Sequence, residues 1–175
     1  HYPLRRQRQM CIRDRKILNS LDHDIFKIIS DTSDDLKIET YIVGGFVRDL
    51  IIDKSVKKDI DIMCIGSGID LAKAIQKKIN PKTKVNIFKR YGTAMINFKG
   101  FQIEFVGSRK ESYSEDSRNP SIETGDFMDD MLRRDFTINT LAIRLNNKNF
   151  GELVDTFDGL KDLEKKIIIC LLYTS

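Results

Sequence analysis

Apolar residues recur at helical spacing from Ile17, Leu18 and Leu21 through Ile25, Phe26, Ile28 and Ile29, with a break at Asp22-His23-Asp24. Such spacing lays an apolar stripe along a helix in two pieces. The period then changes. Glu39 to Val43 reads as a short strand that runs straight into Gly44-Gly45, and Phe46 to Ile52 reads as a helix. Asp59 to Ile65 is a second strand, in which Ile60 and Ile62 alternate with Asp59 and Asp61. Ser67 is placed to cap the next helix, with Asp70 three residues on completing a capping box. That helix presents Leu71, Ala72, Ile75 and Ile79 until Pro81 stops it. Lys84 to Lys89, Thr93 to Phe98 and Phe101 to Val106 read as three strands, separated by turns at Tyr91-Gly92 and Lys99-Gly100. Arg109 to Asp130 is polar, contains Pro120 and Gly125, and reads as a mobile loop. Ile138, Leu141, Ala142 and Leu145 then predict a helix over Arg134 to Leu145. The sum is an α/β (α+β) fold with a mixed sheet of about five strands flanked by helices.

Composition changes this picture mainly at the ends. A chain of 175 residues is long enough for one domain with its own core, and 41% apolar with 32% charged residues reads as soluble and globular. No apolar run approaches the length of a membrane span, and the N-terminus has no apolar stretch of a signal peptide. Cys11, Cys64 and Cys170 follow neither a disulfide nor a metal-ligand pattern, which points to a reducing cytoplasm. With His1 and His23 as the only histidines, zinc is not expected. The formal charge of +4 sits entirely in the first fifteen residues, where Arg5, Arg6, Arg8, Arg13 and Arg15 face Asp14 alone. That arm reads either as a grip on RNA phosphates or as sequence foreign to the fold, and the second reading is the one adopted. The expected organisation is therefore a flank over 1–15, unordered, and a catalytic head over 16–145. Residues 146–169 begin a connection to a further neck domain, and a second foreign flank covers 170–175.

Four groups of residues carry candidate chemistry. A strand that ends in Gly44-Gly45 and opens a helix lets the backbone approach a phosphate, with Arg48 in reach of the same anion and Asp49 beside it. The plain alternative is a turn and nothing more. Asp59 and Asp61, two apart on a strand, point to one side, where adjacent carboxylates repel unless a cation lies between them. Oxygen ligands of this kind suit magnesium; the alternative is a solvated strand face. Glu104 alternates with Ile103 and Phe105 and is either a third metal carboxylate or an ordinary surface glutamate. Arg133 and Arg134 form a paired positive charge at the mouth of the expected helix, with Asp135 and Asn139 sharing a face. The competing reading there is a capped helix with a surface ion pair to Asp129 or Asp130.

Taken together these residues resemble a known family. The run Tyr41-Ile42-Val43-Gly44-Gly45-Phe46-Val47-Arg48-Asp49 through Asp59-Ile60-Asp61 is similar to the first motif of class II tRNA nucleotidyltransferases and bacterial poly(A) polymerases. Arg133-Arg134-Asp135-Phe136-Thr137-Ile138-Asn139-Thr140-Leu141-Ala142 resembles their second, ribose-binding motif. Glu104 to Tyr113 and Leu153 to Leu163 are also similar to family segments, so the resemblance covers residues 24 to 168 or thereabouts. It implies a polymerase-β-like head that transfers CMP or AMP from CTP or ATP to a tRNA 3′ end without a template, working on RNA and not DNA, away from membranes. By the same resemblance, Asp59 and Asp61 would ligate two magnesium ions, and Glu104 stands as a further catalytic carboxylate. Gly44, Gly45, Arg48 and Asp49 would hold the nucleotide, Arg133 and Arg134 its triphosphate, and Asp135 and Asn139 its ribose. The loop from Arg109 to Asp130 matches one that reorganises the family's site between C and A addition. Thr156 stands where the family often has proline. The neck motif that selects C or A does not occur in this sequence. Poly(A), CC-adding or A-adding activity, and a nucleotide-binding head without turnover, therefore stay open.

Overall fold

The computed structural model describes residues 13–52, 54, 58–112 and 121–171. Expectations for residues 1–12 and 172–175, and for the middle of the segment from Arg109 to Asp130, lie outside the described residues. The broken stripe folds as expected. Residues 13–20 are helical (α1), and α2 (Asp24–Asp35) follows the break, with Ile25, Phe26 and Ile29 buried on its inner side. Then come β1 (Thr40–Val43), α3 (Gly45–Ile51), β2 (Asp59–Cys64) and α4 (Gly68–Ile79). At the start of α4, Ser67 Oγ accepts a hydrogen bond from the Asp70 amide at 3.2 Å, the forward half of the expected box. Three antiparallel strands follow: β3 (Val85–Phe88), β4 (Thr93–Phe98) and β5 (Phe101–Gly107). Lys99 and Gly100 both take positive φ between β4 and β5, the backbone a two-residue hairpin turn requires.

From residue 109 the chain departs from the pattern. The polar segment is not one mobile loop: β6 (Arg109–Ser112) pairs antiparallel with β7 (Ser121–Thr124), and α5 (Phe127–Leu132) follows. Asp126 caps α5 and shares a capping box with Asp129. The expected helix over Arg134 to Leu145 does not form. Thr137–Asn139 is a single 3-10 turn, and Ala142–Arg144 is a strand, β8. Thr137, Ile138, Thr140 and Ile143 are β-branched and stiff in a helix. A short apolar run also cannot distinguish a buried strand from a helix by spacing alone. Tertiary pairing decides: β8 lies against β1, with Ile42 opposite Ile143. β9 (Leu153–Val154) pairs with β8, and α6 (Gly159–Lys165) packs beside the 3-10 turn. The sheet therefore continues past residue 145, and Phe150, Leu153, Leu160 and Leu163 pack against its core.

The result is one mixed sheet of seven strands in the order β3-β4-β5-β2-β1-β8-β9, two more than expected, plus the small β6-β7 ribbon. β2 and β5 run parallel and the other pairs antiparallel. Alternation along the strands gives the sheet two unlike faces. Ile42, Ile60, Ile62, Ile96, Ile103, Phe105 and Ile143 point to one face and are buried with Phe26 and Ile29 of α2, Leu50 of α3 and Leu71 and Ile75 of α4. The opposite face holds a smaller cluster of Tyr41, Val43, Met63 and Ala142, closed by Met131 and Phe127 of α5. Among the described residues no helix is long and apolar enough to cross a membrane.

Candidate functional site

The candidate residues gather on this second face, where α5 leaves the sheet uncovered. Along β2 the burial alternates so that Ile60 and Ile62 enter the core while Asp59 and Asp61 face outward. The parallel register sets Asp59 opposite Gln102 and Asp61 opposite Glu104 on β5, so all three carboxylates share one face. Crowding has an electrostatic consequence. Burial raises the Asp61 pKa above the usual aspartate range, and the charges of Glu104 and then Asp59 add to the rise, while Arg134 opposes it. By exposed area Asp61 still reaches solvent, so this carboxylate is not sealed in the core.

The glycine turn brings the two halves of the site together. Gly44 adopts φ 75 and ψ −139, a conformation nearly confined to glycine, and its carbonyl accepts from the Arg48 amide as α3 begins. A Cβ on Gly44 would lie 3.3 Å from Asp61 Oδ2 and 3.7 Å from Arg134 Nη1. One residue with no side chain is thus flanked by the strand carboxylate and by the arginine of the later motif. Gly45 is close to the Arg48 guanidinium, 3.5 Å from where its own Cβ would be.

Arg48 donates through Nε to Asp49 Oδ1 at 2.9 Å and through Nη1 to Asn139 Oδ1 at 3.0 Å. It therefore ties the first motif to the second, across 91 positions of sequence. Arg134 donates through Nη1 to the Asn139 carbonyl at 3.3 Å, and its Nε is a buried donor without a hydrogen-bond partner. Neither arginine stands at the mouth of a helix: Arg133 is the C-cap of α5, and Arg134 follows it. Asp135 and Asn139 do not share a helical face, because Phe136 between them is extended and the 3-10 turn begins after it. Asp135 is exposed, and its carbonyl accepts from the Leu171 amide. The structure thus brings together Gly44, Gly45, Arg48, Asp49, Asp61, Arg134 and Asn139, with Asp59 and Glu104 on the same sheet face.

Sequence reasoning treated Asp130 as no more than one possible surface partner. It is 1% exposed and accepts from both arginines, through Oδ1 from Arg133 Nε and through Oδ2 from Arg134 Nη2, each at 2.9 Å. Asp129, the other candidate partner, is engaged in the capping box instead. The signal was present as an acid three and four residues before a double arginine, the spacing at which side chains meet on a helix.

For metal binding the donor set has a definite limit. Among the described residues no group of three His, Cys, Asp or Glu side chains is already gathered closely enough to hold an ion. Magnesium is commonly bound by one or two carboxylates with substrate phosphates and water completing its shell. A same-face aspartate pair in which Asp61 is charged with difficulty fits that mode of binding.

Known proteins resemble this chain over most of its length. Residues 40–169 match the family model described as the poly A polymerase head domain. The chain is 38% identical over 131 residues to an A-adding tRNA nucleotidyltransferase of Aquifex aeolicus, covering 75% of this chain and 16% of that protein. It is 36% identical over 132 residues to a CCA-adding enzyme of Lactobacillus johnsonii, covering 74% and 30%. The chain thus spans less than a third of the length of either relative. Among solved structures, an apo CCA-adding enzyme superposes with a TM-score of 0.79 at 32% identity, covering 90% of this chain and 38% of the other. A tRNA nucleotidyltransferase complexed with a primer tRNA and an incoming ATP analogue gives 0.71 at 34% identity, covering 82% and 38%.

Proposed function

Since the chain belongs to the poly(A) polymerase head-domain family of class II tRNA nucleotidyltransferases, we propose that its open sheet face is the catalytic half of a template-independent RNA nucleotidyltransferase. The reaction is attack of a tRNA 3′-hydroxyl oxygen on the α-phosphorus of CTP or ATP. The bond to the β-phosphate oxygen breaks, CMP or AMP is added, and pyrophosphate leaves. The observation that carries this reading is Gly44, set between the Asp61 carboxylate and the Arg134 guanidinium.

Asp59 and Asp61 would hold magnesium together with the triphosphate. Two bound ions would supply Lewis acidity to the attacking hydroxyl and to the leaving pyrophosphate. The chain's own residues do the rest. Gly44 and Gly45 keep the phosphate side clear of any Cβ, and the amides at the start of α3 face the anion. Arg134 and Arg133 meet the charge of the triphosphate in the multidentate way that suits guanidinium. Arg48, anchored by Asp49, and Asn139 contact the nucleotide sugar from the side of the 3-10 turn, with Asp135 at its margin. Glu104 keeps the metal side of the face acidic. β9 and α6 belong to this head together with the elements before residue 145, since they extend its sheet and pack on its core.

The solved relatives with CTP, and with primer tRNA and an ATP analogue, support CTP, ATP and a tRNA 3′ end as the ligands here. A second reading, A addition alone, is favoured by the relatives named A-adding tRNA nucleotidyltransferase in Aquifex aeolicus and Geobacter sulfurreducens. One assay separates the two: the full-length protein, magnesium and a tRNA ending before CCA, with labelled CTP and ATP supplied separately and together. Incorporation of C establishes C addition and excludes a purely A-adding enzyme. Incorporation of A only on tRNA already ending in CC supports the second reading. No incorporation of either nucleotide overturns both.

A further inference from the structure

We propose that Asp130 is a positioning residue, a single buried carboxylate that orients both Arg133 and Arg134 toward the triphosphate; this rests on the nucleotidyltransferase reading above. Asp130 is 1% exposed, deeper than either arginine it binds. Its Oδ1 accepts from Arg133 Nε at 2.9 Å and makes an ion pair with Arg133 Nη2 at the same distance, and its Oδ2 accepts from Arg134 Nη2 at 2.9 Å. Both oxygens are therefore used, one for each guanidinium. A carboxylate so buried is tolerated only when its charge is paired and hydrogen-bonded, and here two positive groups satisfy one negative. The trio keeps a net positive charge on the open face, beside Gly44.

Each guanidinium is a rigid planar fork, so fixing one edge fixes the direction of the donors that remain. Arg134 is held at Nη2 by Asp130 and at Nη1 by the Asn139 carbonyl, with that Nη1 3.7 Å from where a Cβ on Gly44 would lie. Arg133 is held along one edge, and its Nη1 is directed away from Asp130. The anchor itself has little freedom. The Asp126–Asp129 capping box fixes the start of α5, and Met131 is fully buried against Tyr41, Val43, Met63 and Ala142. Asp130 lies between these two fastenings. It has no place for a substrate atom of its own and acts through the two arginines.

The test uses the full-length protein and compares binding of ATP with binding of adenosine, both with magnesium. Asp130→Asn is expected to weaken ATP binding at least tenfold and to raise the KM for ATP. Adenosine binding and the KM for tRNA are expected to hold, while the thermal midpoint falls because two buried ion pairs lose their anion. Asp130→Glu, which keeps the charge on a longer arm, is expected to lose about threefold. In an Arg133→Ala/Arg134→Ala background, adding Asp130→Asn should change ATP binding less than twofold, because nothing is left to orient. Equal losses for ATP and adenosine would reveal a merely structural role and overturn the proposal. If Asp130→Asn does not fold, Asp130→Glu decides, and an unchanged ATP affinity in that variant overturns it. The two levels fail differently. An Arg134→Ala variant with wild-type ATP affinity sinks the triphosphate role of the arginine itself. Weak ATP binding by Arg134→Ala beside normal binding by Asp130→Asn sinks only the positioning role.

Discussion

The two faces of one strand show how this molecule divides stability from chemistry. Ile62 and Asp61 are neighbours on β2, yet Ile62 is sealed beneath α2, α3 and α4 while Asp61 looks out beside Asp59 and Glu104. The inner face is apolar from Phe105 and Ile103 across to Ile143, with the rings of Phe26 and Phe46 tilted against each other, centroids 6.3 Å apart. The outer face is closed over only part of its area, by Met131 and Phe127 of α5 on Tyr41, Val43 and Met63. Where that cover stops, like charges stand side by side and the Asp61 carboxyl is pushed up. One side of the sheet is optimised for burial, and the other carries repulsion that a cation and an anionic substrate would relieve. Strain of this kind collects at functional sites.

Substitutions on either side of the sheet should separate the two roles. The largest effect on stability is expected from Ile62→Ala, which empties a fully buried position and should cost about 2–5 kcal/mol in chemical denaturation. A loss below about 1 kcal/mol would mean the inner face is far more plastic than its packing implies. Gly44→Ala comes next. The φ of 75 resists any Cβ, and the added methyl meets Asp61 Oδ2 at 3.3 Å, so about 1–3 kcal/mol of stability should go, together with ATP affinity. Retained ATP affinity in a folded Gly44→Ala protein would break the link drawn between the turn and the two charged groups.

The smallest effect has the opposite sign. Because the folded pKa of Asp61 is raised, its contribution to stability is full at acid pH and is lost as pH rises through that folded value. Metal-free protein should therefore lose stability as pH rises from the usual aspartate range through the raised folded value. Asp61→Asn should remove that part of the loss and leave the metal-free fold equal or slightly more stable at pH 7. Since Asp61 reaches solvent, screening keeps the difference below about 1 kcal/mol. Thermal midpoints of the two proteins measured across that range check the sign. A clear destabilisation by Asp61→Asn at neutral pH would contradict it.

The same contrast explains what could be read in advance. Elements with a clean period were legible: the α1–α2 stripe, the alternation of β2 and β5, and the helix that Ser67 opens. So was the aspartate pair, because alternation alone sends Asp59 and Asp61 to one side. The stretch from Arg133 to Leu145 was not, since Ile138, Leu141, Ala142 and Leu145 satisfy a helical template and only pairing of Ile143 with Ile42 makes a strand. The hairpin of β6 and β7 was hidden for a related reason, as polar residues carry no burial signal. Asp130 escaped notice because its role depends on depth, which spacing does not report. Its neighbour Asp129 has the same chemistry and spends it on a helix cap.

The central claim is that the Asp59 and Asp61 pair binds magnesium together with a nucleoside triphosphate, and calorimetric titration of the protein with ATP, with and without magnesium, tests it most directly. The account predicts that magnesium strengthens ATP binding to the wild type at least tenfold, and that Asp59→Asn with Asp61→Asn abolishes this enhancement while the fold persists. Equal enhancement in the double variant would contradict it and move the metal site elsewhere.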